Sequence, residues 1–155
     1  MPAVPQTLSD LIDKFLRHQH TGLDLTQALN EEIIVSWSMA GTAPATAANY
    51  GNFFIAPFPL EVLQIQENHT VAGSDAGAVT LTVEKLTGTT ALDAGTVLLA
   101  TAFNLKATAN TVQTGTLTTT RTALQMKKGD RLALKDVGTL TDVAGLSITL
   151  WLRRM

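Results

Sequence analysis

The stretch LSITLWLR, residues 146–153, is the most regular of the chain. Leu146, Ile148, Leu150 and Leu152 alternate there with Ser147, Thr149, Trp151 and Arg153. Side chains of an extended backbone point alternately to opposite faces, so this spacing predicts a strand with one apolar face and one polar face. The same pattern recurs upstream. Leu132 and Leu134 alternate with Arg131, Ala133 and Lys135; Val79, Leu81 and Val83 with Thr80, Thr82 and Glu84; Leu63 and Ile65 with Gln64 and Gln66; Ile33, Val35 and Trp37 with Ile34, Ser36 and Ser38. Phe53, Phe54 and Ile55 are strand-like, and Pro57 and Pro59 around Phe58 suit an edge strand or a bend. Weaker strand candidates lie at 96–100, 111–117 and 122–126.

Threonine is abundant in these segments; it is β-branched and polar, and fits the solvated side of a pleated surface. Turn signals punctuate the runs: Ala72-Gly73-Ser74-Asp75, Thr87-Gly88, Asp93-Ala94-Gly95, Lys128-Gly129-Asp130 and Val137-Gly138. About eight short strands in one domain predict an all-β, jelly-roll-like antiparallel β-sandwich over residues 31–155.

Residues 1–30 follow a different grammar. Two prolines in the first six residues predict an extended arm. Leu8, Leu11, Ile12, Phe15 and Leu16 then form one stripe at helical spacing. Thr7 is placed to cap the helix, Asp10 complements its positive end, and Gly22 is a stop signal. A helix this short is marginal alone in water, so its stripe needs a partner surface. The stripe packs on its own domain, on sister chains, or on another protein.

Composition narrows the function. Only 15% of the 155 residues are charged, against about 25% in ordinary soluble domains. Mean hydropathy is +0.18. So few charges leave a free-standing surface poorly solvated, which argues for burial against other chains. A formal net charge of −2 is not the basic footprint of a nucleic-acid binder. No apolar run approaches the roughly 18 residues of a membrane-spanning helix. The first residues lack the basic and apolar regions of a secretory signal, so synthesis and assembly in a cytoplasm are expected. With no cysteine, disulfides and thiol chemistry are excluded.

Catalytic motifs are missing: there is no HExxH, phosphate-binding glycine loop, EF-hand or GxSxG elbow. No enzyme activity and no cofactor are expected. His18 and His20, at HxH spacing, form the one pair with metal-ligand character. Histidine near a helix end also simply favours the dipole, so no metal is assigned. Asn68-His69-Thr70 matches a glycosylation acceptor and is read as a turn. The basic pairs Lys127-Lys128 and Arg153-Arg154 are read as solvated charge. Trp37, Phe53, Phe54 and Phe58 are assigned mainly to the core. Trp151 is set apart, because it lies on the face opposite the leucines. An indole there is exposed or covered by another chain or the arm, and tryptophan is enriched at interface hot spots.

GAVTLTVEKLTGTTALDAGTVLLATAFNLKATANTVQTGTLTTT (77–120) and KKGDRLALKDVGTLTDVAGLSITLWLRR (127–154) resemble small structural proteins of tailed bacteriophages. The shared features are a strand ending VEKL, the TGTTALDAGT turn, an apolar LLA strand, GDRLAL and an amphipathic last strand. Such proteins are similar to capsid decoration, or cement, proteins and to fibre-type jelly rolls. The resemblance implies a homotrimeric β-sandwich on the capsid surface of the virion, with the major capsid protein as partner and an N-terminal anchor. KFLRHQHTGLDL (14–25) is similar to segments near the start of phage fibre and appendage proteins. That keeps a fibre role open, in which the β-domain recognises a host glycan or protein.

Overall fold

The computed structural model describes residues 31–39 and 51–155. The predicted arm and helix lie outside the described residues. The strands are β1 (Glu32–Ser38), β2 (Asn52–Ile55), β3 (Leu60–Asn68), β4 (Thr80–Leu86), β5 (Thr96–Val97), β6 (Phe103–Asn104), β7 (Gln113–Thr114), β8 (Gln125–Met126), β9 (Arg131–Val137) and β10 (Ser147–Arg154). A single helical turn, α1 (Arg121–Leu124), precedes β8.

These strands form two antiparallel sheets. Sheet one runs β1-β10-β3-β7, with β8 also on β3. Sheet two runs β2-β9-β4-β5, with β6 also on β4. β5 and β6 pair with opposite ends of β4, at Glu84↔Val97 and Thr80↔Asn104, and act as halves of one interrupted strand. β7 and β8 divide the far edge of β3 likewise, at Gln66↔Thr114 and Leu60↔Met126. Counted so, eight strand positions alternate between the sheets except at the β4–β5 hairpin. This is the double-sheet winding of a jelly roll, as the sequence predicts.

The core lies between the sheets. Ile148, Leu150 and Leu152 of β10 and Val62 and Ile65 of β3 face Leu81 and Val83 of β4 and Leu132 and Leu134 of β9, and all are buried. Each such side chain contributes about 1.5–3 kcal/mol of transfer free energy on burial. On β10 the inward residues are those of the predicted alternation, including Leu146 just before it.

On β3 the alternation is broken. Trp151 lies opposite Gln64 and Leu152 opposite Val62, so Leu63 is the extra residue of a β-bulge. The bulge resets the parity: Leu60, Val62 and Ile65 all turn inward, whereas simple alternation paired Leu63 with Ile65. Two of the weaker strand candidates shrink to β5 and β7, with two residues each. In the third, 122–126, a helical turn occupies the first half and only Gln125–Met126 pairs. The Lys85 ammonium fixes that turn by donating to the carbonyls of Thr122 (2.8 Å) and Gln125 (2.7 Å), a long-range bond invisible to local pattern.

Asp136 breaks the apolar inner row of β9. It sits opposite Leu81, 9% exposed, and its Oδ2 has no hydrogen-bond partner among the described residues. Burial pushes its carboxyl above the ordinary aspartate range. A raised folded-state value means that stability is full below the unfolded value and is lost as pH rises and the carboxyl ionises. Asp136→Asn is therefore expected to raise stability by about 1 kcal/mol at pH 7, with little gain below about pH 3.8, the ordinary value. Denaturant unfolding at the two pH values checks this; equal gains at both would refute the account.

Candidate interaction surface

The outer face of sheet one is built in rows across β1, β10 and β3. Glu32, Arg153 and Glu61 form the first row; Ile34, Trp151 and Gln64 the second; Ser36, Thr149 and Gln66 the third, extended by Thr114; Ser38, Ser147 and Asn68 the last. The alternation of β10 sets this face: with leucines turned inward, Ser147, Thr149 and Trp151 must turn out.

Charge is confined to the first row. Glu61 is 8% exposed and accepts from Arg153 and from Arg121 Nε, the latter at 3.2 Å. The hydrogen bond from Arg153 leads in holding its carboxyl below the usual glutamate range. Both arginine side chains are well exposed, so screening leaves this ion cluster a small contribution to stability. The other three rows carry no ionisable group. Their hydroxyls and amides bond laterally, Ser36 with Thr149 and Gln66 with Thr114, each at 3.2 Å.

Ile34 is 62% exposed beside the half-buried Trp151. The two make an apolar centre in the uncharged part of this face. Charge depletion around an aromatic anchor is the compositional mark of an interface core. Among the described residues β1 pairs only with β10, at the edge of sheet one. On the inner side of that edge Ile33, Val35 and Trp37 are only partly buried, as are Phe53, Phe54 and Phe58 near β2. The core assignment of these aromatics therefore holds in part: they pack against the core from its β1 and β2 side and are partly buried.

Of the residues singled out in the sequence, Trp151 stands where predicted, on the face opposite the leucines. Leu8, Leu11, Ile12, Phe15, Leu16, His18 and His20 lie outside the described residues. Among the described residues no group of three or more His, Asp or Glu side chains is placed to hold a metal ion. Ile34 falls with Ser36 and Ser38 in the alternation read from the sequence and is exposed on that side; its place beside Trp151 comes from pairing with β10. His69, read as part of a turn, is instead fully buried against Glu67, and no local signal marks that pairing. A recess of about 520 Å³ lies near Pro59, Lys85, Met126 and Asp130. Its polar groups serve the fold: Lys85 holds α1, and Asp130 Oδ2 accepts from Lys127 N at 2.8 Å.

No protein-family model matches the sequence, and no curated protein matches it. Two solved structures are similar in fold. A chain of the capsid of Ralstonia phage GP4 aligns over 100% of this chain and 91% of its own length, with TM-score 0.59 and 11% identity. A chain of the cyanophage Pam1 capsid asymmetric unit aligns over 81% of this chain and 86% of its own, with TM-score 0.56 and 13% identity. At these identities the likeness is one of fold: this chain shares its all-β architecture with chains found in two phage capsids.

Proposed function

We propose that this chain is a structural virion protein of a tailed phage, a decoration or cement protein that binds the major capsid protein at the particle surface. The observation that carries this reading is the fold shared, over 81–100% of this chain and 86–91% of theirs, with chains of two phage capsids. The three uncharged rows on the outer face of sheet one support it, since a surface of that composition is better matched to protein than to water.

In this reading the protein works by binding and not by catalysis. Residues 1–30 form the anchor, through Leu8, Leu11, Ile12, Phe15 and Leu16. Residues 31–155 form the sandwich, which trimerises with Trp151 and Ile34 at the contact. Each anchor buries modest apolar area, and ordering and association costs absorb much of the gain. Three anchors on one trimer recover affinity because the second and third engage at high effective concentration. Shell subunits bridged in this way must break several contacts together before a seam opens.

The test is binding of the purified protein to expanded capsids that lack it, with the bound position read by electron microscopy. Deleting residues 1–20 is expected to leave a folded sandwich and to lower shell affinity by about 100-fold or more. Phe15→Asp is expected to do nearly the same, because it sets a charge in the apolar stripe. Truncated protein that decorates shells as well as the full chain would move the anchor into the sandwich. Binding to host cells, with none to capsids, would make the protein a fibre-type adhesin.

A further inference from the structure

Beneath the segment joining β6 to β7, two titratable side chains are sealed from water. Glu67 of β3 is 1% exposed, and His69, just beyond the strand, is 0% exposed. His69 Nδ1 lies 2.7 Å from Glu67 Oε1, and His69 Nε2 lies 3.1 Å from the carbonyl oxygen of Ala107. Glu67 Oε2 accepts from Gln113 Nε2 at 2.5 Å, and the same nitrogen donates to the carbonyl of Asn104 at 3.0 Å. The His69 carbonyl accepts from Asn110 N at 2.7 Å. The segment 104–113 is thus fastened to this pair at three of its residues, Ala107, Asn110 and Gln113.

The geometry counts the protons. A backbone carbonyl only accepts, so Nε2 of His69 carries a hydrogen. Nδ1 and Oε1, 2.7 Å apart, also need a hydrogen between them, because two lone pairs at that separation repel. Imidazolium with carboxylate, or imidazole with carboxylic acid, satisfies this equally, and the two forms hold the same number of protons. That number is one more than an ionised glutamate and a neutral histidine hold. Burial pushes the Glu67 carboxyl upward, against the lowering pull of His69 and Gln113. The charged groups at this end of the sandwich are engaged elsewhere. Lys106 Nζ donates to the carbonyls of Asp75 (2.7 Å) and Gly77 (3.3 Å), Ser74 Oγ donates to Asp142 Oδ2, and the Asp75 carboxylate accepts from Thr139.

We infer that Glu67 and His69 form a proton-operated fastener for the 104–113 segment, in which the folded domain holds a proton that the unfolded chain releases at neutral pH, and whose loss in mildly alkaline solution loosens that segment. In an unfolded chain a glutamate side chain is ionised above about pH 4.3 and a histidine side chain is neutral above about pH 6.5. Between those values both states hold equal numbers of protons, and the pair adds no pH dependence. Above about pH 6.5 the folded state holds one more, so the unfolding constant rises by up to about tenfold per pH unit. Below about pH 4.3 the unfolded chain takes the extra proton, and stability falls again.

Glu67→Gln in the full chain tests this directly. The glutamine amide donates to Nδ1 and its carbonyl accepts from Gln113, so the same bonds form with no titrating proton. Denaturant unfolding from pH 6.5 to 8.5, with amide exchange across 104–113, is the measurement. The unfolding constant of the unaltered protein is expected to rise relative to Glu67→Gln by up to about 100-fold over that range, with exchange of the segment rising in parallel. Comparing the two proteins cancels the contributions of His18 and His20. Identical pH slopes would overturn the inference. Should the variant fail to fold, nitrogen NMR of His69 in the unaltered protein decides: a hydrogen shared at Nδ1 at pH 7 supports the fastener, and a bare Nδ1 lone pair overturns it.

Discussion

Gly138→Ala is expected to unfold the domain or to cost it about 4 kcal/mol or more, in the range where single substitutions become exceptional. Gly138 follows β9 directly, at φ +91°, where the chain turns away from sheet two. A Cβ built there would lie 1.8 Å from the carbonyl oxygen of Ala78. That oxygen belongs to backbone leading into β4, the strand paired with β9 from Thr80↔Val137 to Leu86↔Arg131, so relief requires moving a central ladder. Gly129 supplies the control. Its φ is +90°, but a Cβ there meets nothing within 4 Å. Gly129→Ala is therefore expected to cost only the left-handed backbone strain, about 1–2 kcal/mol. Denaturant unfolding of both variants separates strain from collision; similar losses at the two sites would show that the Ala78 contact is not the cause.

The second large effect is expected from Glu84→Ala. Glu84 is 0% exposed, on the outer side of sheet two beneath the turn after β4. Its Oε1 accepts from Asp93 N at 2.7 Å and its Oε2 from Gly95 N at 2.9 Å. Arg131 tethers the same turn at the carbonyls of Gly88 (3.1 Å) and Thr90 (2.7 Å), and Lys135 Nζ at Asp93 O (3.0 Å). Alanine removes the acceptor on which the Asp93–Gly95 arch is wound and leaves two backbone donors to find water. Hydrogen bonds to a charged group are worth about 1.5–3 kcal/mol each, so a loss of about 3 kcal/mol is expected after partial rehydration. Glu84→Gln keeps one acceptor and turns an amide N–H toward a backbone N–H, and should lose about half as much. Amide exchange confined to residues 87–95 would identify the turn as the part released. Unchanged exchange there would mean that Arg131 and Lys135 hold the turn without the carboxylate.

These two sites also mark where local sequence stops being informative. The VEKL strand and the TGTTALDAGT turn are each legible, and alternation turns the glutamate outward with Thr80 and Thr82, but nothing in them says that it ends up dry. The turn that buries Glu84 is folded onto it by partners on β9, about forty residues away. Glu67 and His69 were hidden for the same reason. Asn68-His69-Thr70 reads as a turn until Ala107 arrives to accept from His69 and Gln113 to donate to Glu67. Lys85 was hidden likewise, because its acceptors lie 37 and 40 residues further on.

On the candidate surface, Trp151 was legible because β10 alternates without interruption, so the side opposite its leucines is fixed by period alone. The setting of Ile34 was not: alternation puts it on the side of Ser36 and Ser38, but only pairing with β10 sets it beside Trp151. The bulge at Leu63 belongs to the same class. One extra residue inverts every side chain beyond it, and its position depends on the partner strand.

The sequence alone determined that this chain is an all-β sandwich, that its last strand turns leucines in and Trp151 out, and that charge is scarce. Those properties follow from period-two patterning, turn chemistry and composition, which act over a few residues. The tertiary structure alone decided the strand order, the bulge that resets β3, the uncharged face around Ile34, and the buried carboxylates of Glu67, Glu84 and Asp136. Each of these depends on groups far apart in sequence and brought together by packing, and a hydrogen bond or a parity shift of that kind leaves no mark on either segment taken separately.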